Sequence, residues 1–129
     1  MVKLSSFALL ASTLASVATA RSSGFLDLNC EVRTLEYFSR NSTLEVLCTT
    51  SIGTSLLDIN LNKCIANNNG YLAWDAQKGK FSSGCQGCTV QNGVFNCVWC
   101  DAPGGGKKYN THLTLNDGIA FINDKLSCA

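Results

Sequence analysis

The chain of 129 residues has one histidine, one proline and few charges, with Asp, Glu, Lys and Arg making up 15% of it. Each scarcity excludes something. With His112 alone, any Ser–His–Asp or Cys–His centre must be built around that residue. It stands in an alternating segment with Leu113 and Leu115, as an exposed strand residue does, and no serine has a G-x-S-x-G setting. Carboxylates are present at Asp75, Asp101, Asp117 and Asp124, but a pair that cuts glycosides needs a cleft that so small a chain is poorly able to form. No catalytic residue and no enzyme activity are expected. Lys+Arg 10 against Asp+Glu 9 leave neither a basic face for nucleic acid nor an acidic tail. Beyond residue 20 no apolar run is long enough for a membrane helix, so no membrane insertion is expected.

What the chain has is cysteine. All eight cysteines follow residue 20, and the segment before them reads as a signal peptide. Lys3 supplies its positive start, Phe7 to Val17 its apolar stretch, and Ala18-Thr19-Ala20 the small-x-small cleavage pattern before Arg21. Residues 21–129 are then one secreted, extracellular domain. A chain of that size buries about two-thirds of its surface, a modest core that cross-links must assist. An even cysteine count in an oxidising compartment implies four disulfides and no metal. Asn41-Ser42-Thr43 is a sequon for N-glycosylation at Asn41.

The second half repeats the first. Phe25, Cys30, Cys48, Leu61-Asn62, Ile65 and Leu72 return as Phe81, Cys85, Cys100, Leu115-Asn116, Ile119 and Leu126. The offset holds at about 52 to 56 residues, which is a register and not a coincidence of composition. The repeats run from about 25 to 74 and from about 81 to 128. Two such units imply a mainly β, pseudo-symmetric single domain with two equivalent surfaces.

Within the repeats, 44–47, 57–62 and 112–115 alternate with period two, and 94–98 is rich in β-branched and aromatic residues. Turns are marked at Asn69-Gly70, 77–79, Asn92-Gly93 and 104–106. Short helical turns are expected at 64–66 and 118–120, and 21–24 reads as a loose start. A two-residue hairpin turn at Asn92-Gly93 gives Cys85 with Cys100, and Cys88 with Cys97, the same index sum, so both pairs are rungs of one hairpin. Their odd separation puts them on opposite faces of a regular ladder, so a bulge or distortion is expected. Repeat symmetry pairs Cys30 with Cys48 and leaves Cys64 for Cys128. The competing reading of Cys85-x2-Cys88 and Cys97-x2-Cys100 is a four-thiolate zinc site, which an oxidising compartment disfavours. Trp74 corresponds to Cys128 and reads as core, while Trp99 can face either way.

Together these residues resemble the cyanovirin-N homology family, as a secreted fungal-type member with extra disulfides. The resemblance runs from Phe25-x4-Cys30 through Cys48, the segment 58–74 and Phe81-x3-Cys85 to Cys100, 113–119 and Leu126. It implies an elongated β protein whose halves exchange strands, present as a monomer or a domain-swapped dimer. It also implies a lectin for mannose-containing oligosaccharides or glycoproteins that needs no metal or cofactor. The family's sites carry over as Asn67, Asn69, Lys80, Ser83 and Asp101 in one half, with Lys107 or Lys108 at the rim. In the other half they carry over as Asn29, Thr49, Ser51 and Asn123, a weaker set because Phe121 stands where Asn67 stands in its repeat. Pro103 occupies a place where other members can have a basic side chain. The alternative is a secreted scaffold or effector protein of the same fold that has lost sugar binding and takes a protein partner.

Overall fold

The structure is a computed structural model and describes residues 23–129. The segment read as a signal peptide lies outside the described residues. Among those described, strands dominate and helix is confined to single turns. No helix among them is long and apolar enough to cross a membrane.

One sheet is β1 (Glu36–Phe38), β2 (Thr43–Thr50) and β3 (Gly53–Asn60), antiparallel in that order. Period-two alternation makes it: Leu44, Val46 and Cys48 are buried while their neighbours are not. The hairpin β4 (Ile65–Asn68) and β5 (Tyr71–Trp74) follows, turning on Asn69 and Gly70, whose φ values of 55° and 101° suit a two-residue turn. The second sheet has β8 (Val94–Ala102) at its centre, with β9 (Gly106–Thr114) on one side and both β6 (Cys85–Gln86) and β7 (Thr89–Gln91) on the other. The hairpin β10 (Ile119–Ile122) and β11 (Lys125–Cys128) completes the repeat.

Helical turns at Leu61–Lys63 and Leu115–Asp117 immediately precede β4 and β10. The expected turns at 64–66 and 118–120 are therefore shifted: Ile65-Ala66 and Ile119-Ala120 pair in ladders and are buried on the core side. The start is not loose as far as it is described, because Ser23 bridges Ala120. Phe25–Leu28 forms one α-turn, α1, where the second repeat has the tighter turn Phe81–Ser83. The extra residue before Cys30 is absorbed there, with the Asn29 and Cys30 amides both donating to the Phe25 carbonyl at 3.2 and 3.1 Å.

Four disulfides join Cys30–Cys48, Cys64–Cys128, Cys85–Cys100 and Cys88–Cys97, and no cysteine is free. Thiolates for zinc are thus consumed. The expected distortion in the doubly bridged hairpin is a break at Gly87, φ 64°, which splits the outer strand into β6 and β7. Strand β8 loses its alternation there, so Cys97 and Cys100 are both buried and their sulfurs lie with that of Cys85 within 4.8 Å of one another.

The two repeats are interlocked. Hairpin β4–β5 packs on β8 and β9, and hairpin β10–β11 packs on α1 and β3. Asn62 accepts from the Ser82 amide at 3.0 Å and donates to the Ser82 hydroxyl at 2.7 Å. Its counterpart Asn116 accepts from the Leu26 amide at 2.8 Å and donates to Asp27 at 2.7 Å. Each repeat thereby closes the first turn of the other. The core is shared in the same way, with Phe95 edge-on to Phe81 at 5.2 Å and Tyr37 of the other repeat edge-on to Phe95 at 5.0 Å.

Candidate functional site

The turn of hairpin β4–β5 builds one end of the molecule. Asn67 is its anchor: the side-chain oxygen accepts from the Gly70 amide at 2.7 Å, and Nδ2 donates to the Asp101 carbonyl at 2.9 Å. An amide has two donors and two lone pairs, so half of the Asn67 capacity is spent holding the turn against β8. Gly84 lies beneath it. A Cβ there would come within 2.8 Å of Asn67 Nδ2, and the Gly84 carbonyl accepts from the Asp101 amide at 2.7 Å. Gly70 is equally constrained, since a Cβ would run into the Lys108 side chain and reach 3.1 Å from that of Ala102.

The first sequence-expected set gathers at this end, around two elements. Asn67 and Asp101 are joined directly. Lys80 sits at φ 60° at the head of the Phe81–Ser83 turn and bridges Ala66, one residue before Asn67. The Ser83 hydroxyl donates to the Lys80 carbonyl at 3.0 Å and precedes Gly84. Asn69 is exposed at the tip of the turn with φ 55°. The two lysines separate onto opposite faces of β9. Lys108 flanks Gly70 and holds its ammonium 5.5 Å from the Tyr71 ring centre, whereas Lys107 lies 4.5 Å over Trp99. Lys108 therefore lies beside the Asn69-Gly70 turn, and Lys107 lies on the other face of β9. Tyr71, 56% exposed beside the turn, was missed by sequence reasoning; its signal was its place next to Asn69-Gly70 in a strand otherwise facing inward. Pro103 is exposed at the start of the Pro103–Gly105 turn.

The second set is held differently. Asn29 donates to the Thr49 carbonyl at 3.1 Å and accepts on its own carbonyl from the Thr49 amide at 2.8 Å. Ser51 is gripped by Asp124 through its amide, at 3.1 Å, and its hydroxyl. Asn123 is exposed in the left-handed turn of β10–β11, φ 52°. Asp124 is the counterpart of Gly70, and where that glycine admits Lys108, this carboxylate reaches across to tie up Ser51. Phe121, the counterpart of Asn67, is half-buried against the core and gives this end no amide anchor.

His112 is exposed on β9, and its nearest described polar partner is the Asn110 carbonyl at 3.4 Å. It faces no cysteine thiol, since all are bridged.

A three-stranded and a four-stranded sheet, each packed against the hairpin of the other repeat, with a polar turn at either end, define a tandem-repeat β domain with two pseudo-equivalent surfaces. The CVNH domain model matches residues 26–127, and the chain belongs to the cyanovirin-N homology (CVNH) family. Among solved structures it is similar to TbCVNH of T. borchii, with 21% identity, TM-score 0.64 and coverage of 82% of this chain and 99% of that one. A MoCVNH3 variant in complex with (N-GlcNAc)4 gives 14% identity and TM-score 0.67, covering 85% and 100%. Microvirin in complex with mannobiose gives 20% identity and TM-score 0.65, covering 81% and 97%. A search among curated proteins finds none that matches the chain.

Proposed function

We propose that this protein is a secreted, non-catalytic lectin that binds a mannose-containing oligosaccharide, free or on a glycoprotein, at the Asn67–Asn69 end. The observation that carries the reading is the way Asn67 fixes the turn. Its two bonds, to Gly70 and Asp101, hold the tip, and Asn69, Tyr71, Lys108, Ser83 and Asp101 are exposed around it. Adjacent sugar hydroxyls need a donor and an acceptor a few ångströms apart, which an amide supplies in one plane, and an aromatic ring receives the apolar face of the pyranose. Each direct bond nets about 1 kcal/mol, so one site binds modestly and multivalent glycans bind by avidity. The sugars bound by Microvirin and by the MoCVNH3 variant support the class of ligand. The four disulfides support an oxidising destination.

Titration calorimetry with α-linked di- and trimannosides tests this. Saturable binding near one site per chain, lost in Asn69→Gly, is the expected result. Glycine keeps the left-handed turn and removes only the amide. Flat traces up to millimolar sugar would overturn it.

The other end favours a second role there. With Asp124 locked onto Ser51 and Phe121 in place of the amide anchor, that surface suits a protein partner better than a sugar. Capture of a protein that survives excess mannose-rich glycan is the result that would move the whole molecule to the scaffold or effector reading.

A further inference from the structure

A groove of ≈ 1050 Å³ opens on the outer face of β1–β3 and is bounded by β11. It belongs to neither turn site. Its mouth is the β1–β2 turn, and that turn carries the sequon. Phe38 pairs with Thr43 across the ladder, and Thr43 pairs with Asn60 on the next strand. The three side chains therefore stand in one row on one face. Asn41 is exposed and lines the same groove as this row. Ser42, buried with φ 57°, turns the chain back so that Thr43 donates to the Asn41 carbonyl at 3.3 Å. Thus the aromatic residue three places before the asparagine and the threonine two places after it are neighbours. Phe38 is 40% exposed, an apolar ring beside Ser39, Arg40 and Asn41 that the described residues leave partly open to solvent.

We propose that Asn41 carries an N-glycan whose first N-acetylglucosamine lies over Phe38 and Thr43 and roofs this groove. The proposal rests on the secretory part of the reading above. The donor is an oligosaccharide on a lipid diphosphate. Nδ2 of Asn41 forms a bond to C1 of the sugar, the C1–O bond to the diphosphate breaks, the lipid diphosphate leaves and the amide gives up one proton. Once attached, the pyranose sets its axial C–H groups on the negative face of the Phe38 ring. Asn60 at the end of the row, and Arg40 and Asp58 beside it in the groove, meet its hydroxyl and acetamido groups. A free saccharide on the same row would lose translational and rotational freedom to sit there, whereas a tethered one already lies at high effective concentration. That difference commits the groove to the covalent occupant.

The chain is expressed with residues 1–20 in a yeast secretory host, and Asn41 occupancy is read by peptide mass spectrometry. Thermal unfolding is then compared before and after enzymatic removal of the glycan, in the wild type, Phe38→Tyr and Phe38→Ala. Removal is expected to lower Tm by on the order of 4 °C in the wild type and Phe38→Tyr and to leave Phe38→Ala unmoved. Nuclear Overhauser contacts between the sugar and the Phe38 ring accompany the effect. An unmodified Asn41 on secreted protein overturns the proposal, and so does a glycan that contributes equally in Phe38→Ala. A failed secretory reading shows separately, as retention of the chain with its own leader; the same comparison is then made behind the host's leader and decides the glycan. Mannoside titration is an independent readout, so loss of the lectin reading leaves this result standing.

Discussion

Gly118 lies directly beneath the indole of Trp74, so closely that a Cβ on residue 118 would fall among the ring carbons Cδ2, Cε2 and Cε3. The repeat-equivalent pair is Cys64 and Cys128, which form a disulfide. One junction between the repeats is thus a packed ring on a bare backbone, and the other is a covalent bond at the same place.

Gly118→Ala is expected to destabilise by about 1–3 kcal/mol, because the indole must leave its position and the backbone beneath it is fixed by the Gly118 amide bond to Leu115. Urea unfolding checks it. An unchanged midpoint would show that the ring has room to move.

The disulfide and the stacked pair are predicted to be partly interchangeable. Replacing Cys64 and Cys128 with alanine removes a cross-link over a separation of 64 residues, worth about 4 kcal/mol by the loop-entropy argument. Cys64→Gly with Cys128→Trp is expected to recover part of that loss. A midpoint no higher than that of the double alanine variant would refute the equivalence.

Asn67 and Asn69 are expected to separate in their effects. Asn67→Ala leaves the Gly70 amide without its acceptor and releases the turn from Asp101, costing about 1–2 kcal/mol of stability along with binding. Asn69→Gly is expected to hold stability within about 0.5 kcal/mol and to lose sugar affinity. Parallel denaturation and calorimetry decide it; equal stability losses would mean the two amides share one role.

Lys108→Ala and Tyr71→Ala are expected to weaken glycan binding about fivefold, roughly 1 kcal/mol each, while Lys107→Ala has no effect. The basis is their division between the faces of β9. Equal effects from both lysines would place the sugar over the Pro103–Gly105 turn instead.

Burial raises the Tyr37 phenol above its ordinary value of 10.0, and a hydrogen bond with Ser42 works against that shift. A raised acid stays neutral in the fold when the unfolded chain has already ionised. Its contribution is therefore complete below pH about 10 and falls as pH rises through the folded value. Unfolding midpoints from pH 8 to 11 are expected to fall more steeply in the wild type than in Tyr37→Phe.

Much of this was legible in the chain because local rules agree with the fold. The Asn69-Gly70 and Asn92-Gly93 turns have no other easy conformation, and a hairpin turn fixes which cysteines face each other. What stayed hidden depends on facing and on distant partners. Alternation assigns Lys107 and Lys108 to opposite faces but does not say which face the other repeat covers. The commitment of Asn67 to Asp101, and of Asp124 to Ser51, joins residues 34 and 73 positions apart. The helical turns fall about three residues earlier than expected, on Asn62 and Asn116, because Ile65 and Ile119 are taken up by hairpin ladders and each asparagine reaches across to close a turn of the other repeat.

That reciprocal closure bears on descent. A single repeat has no partner for its Asn62-type amide or for its hairpin, so a half-length ancestor would have had to assemble as a twofold dimer. In such a dimer both ends are copies, and a substitution at one is a substitution at both. A fused chain is free of that constraint: one junction can be a disulfide and the other a stacked tryptophan, and Phe121 can stand at one end with Asn67 at the other.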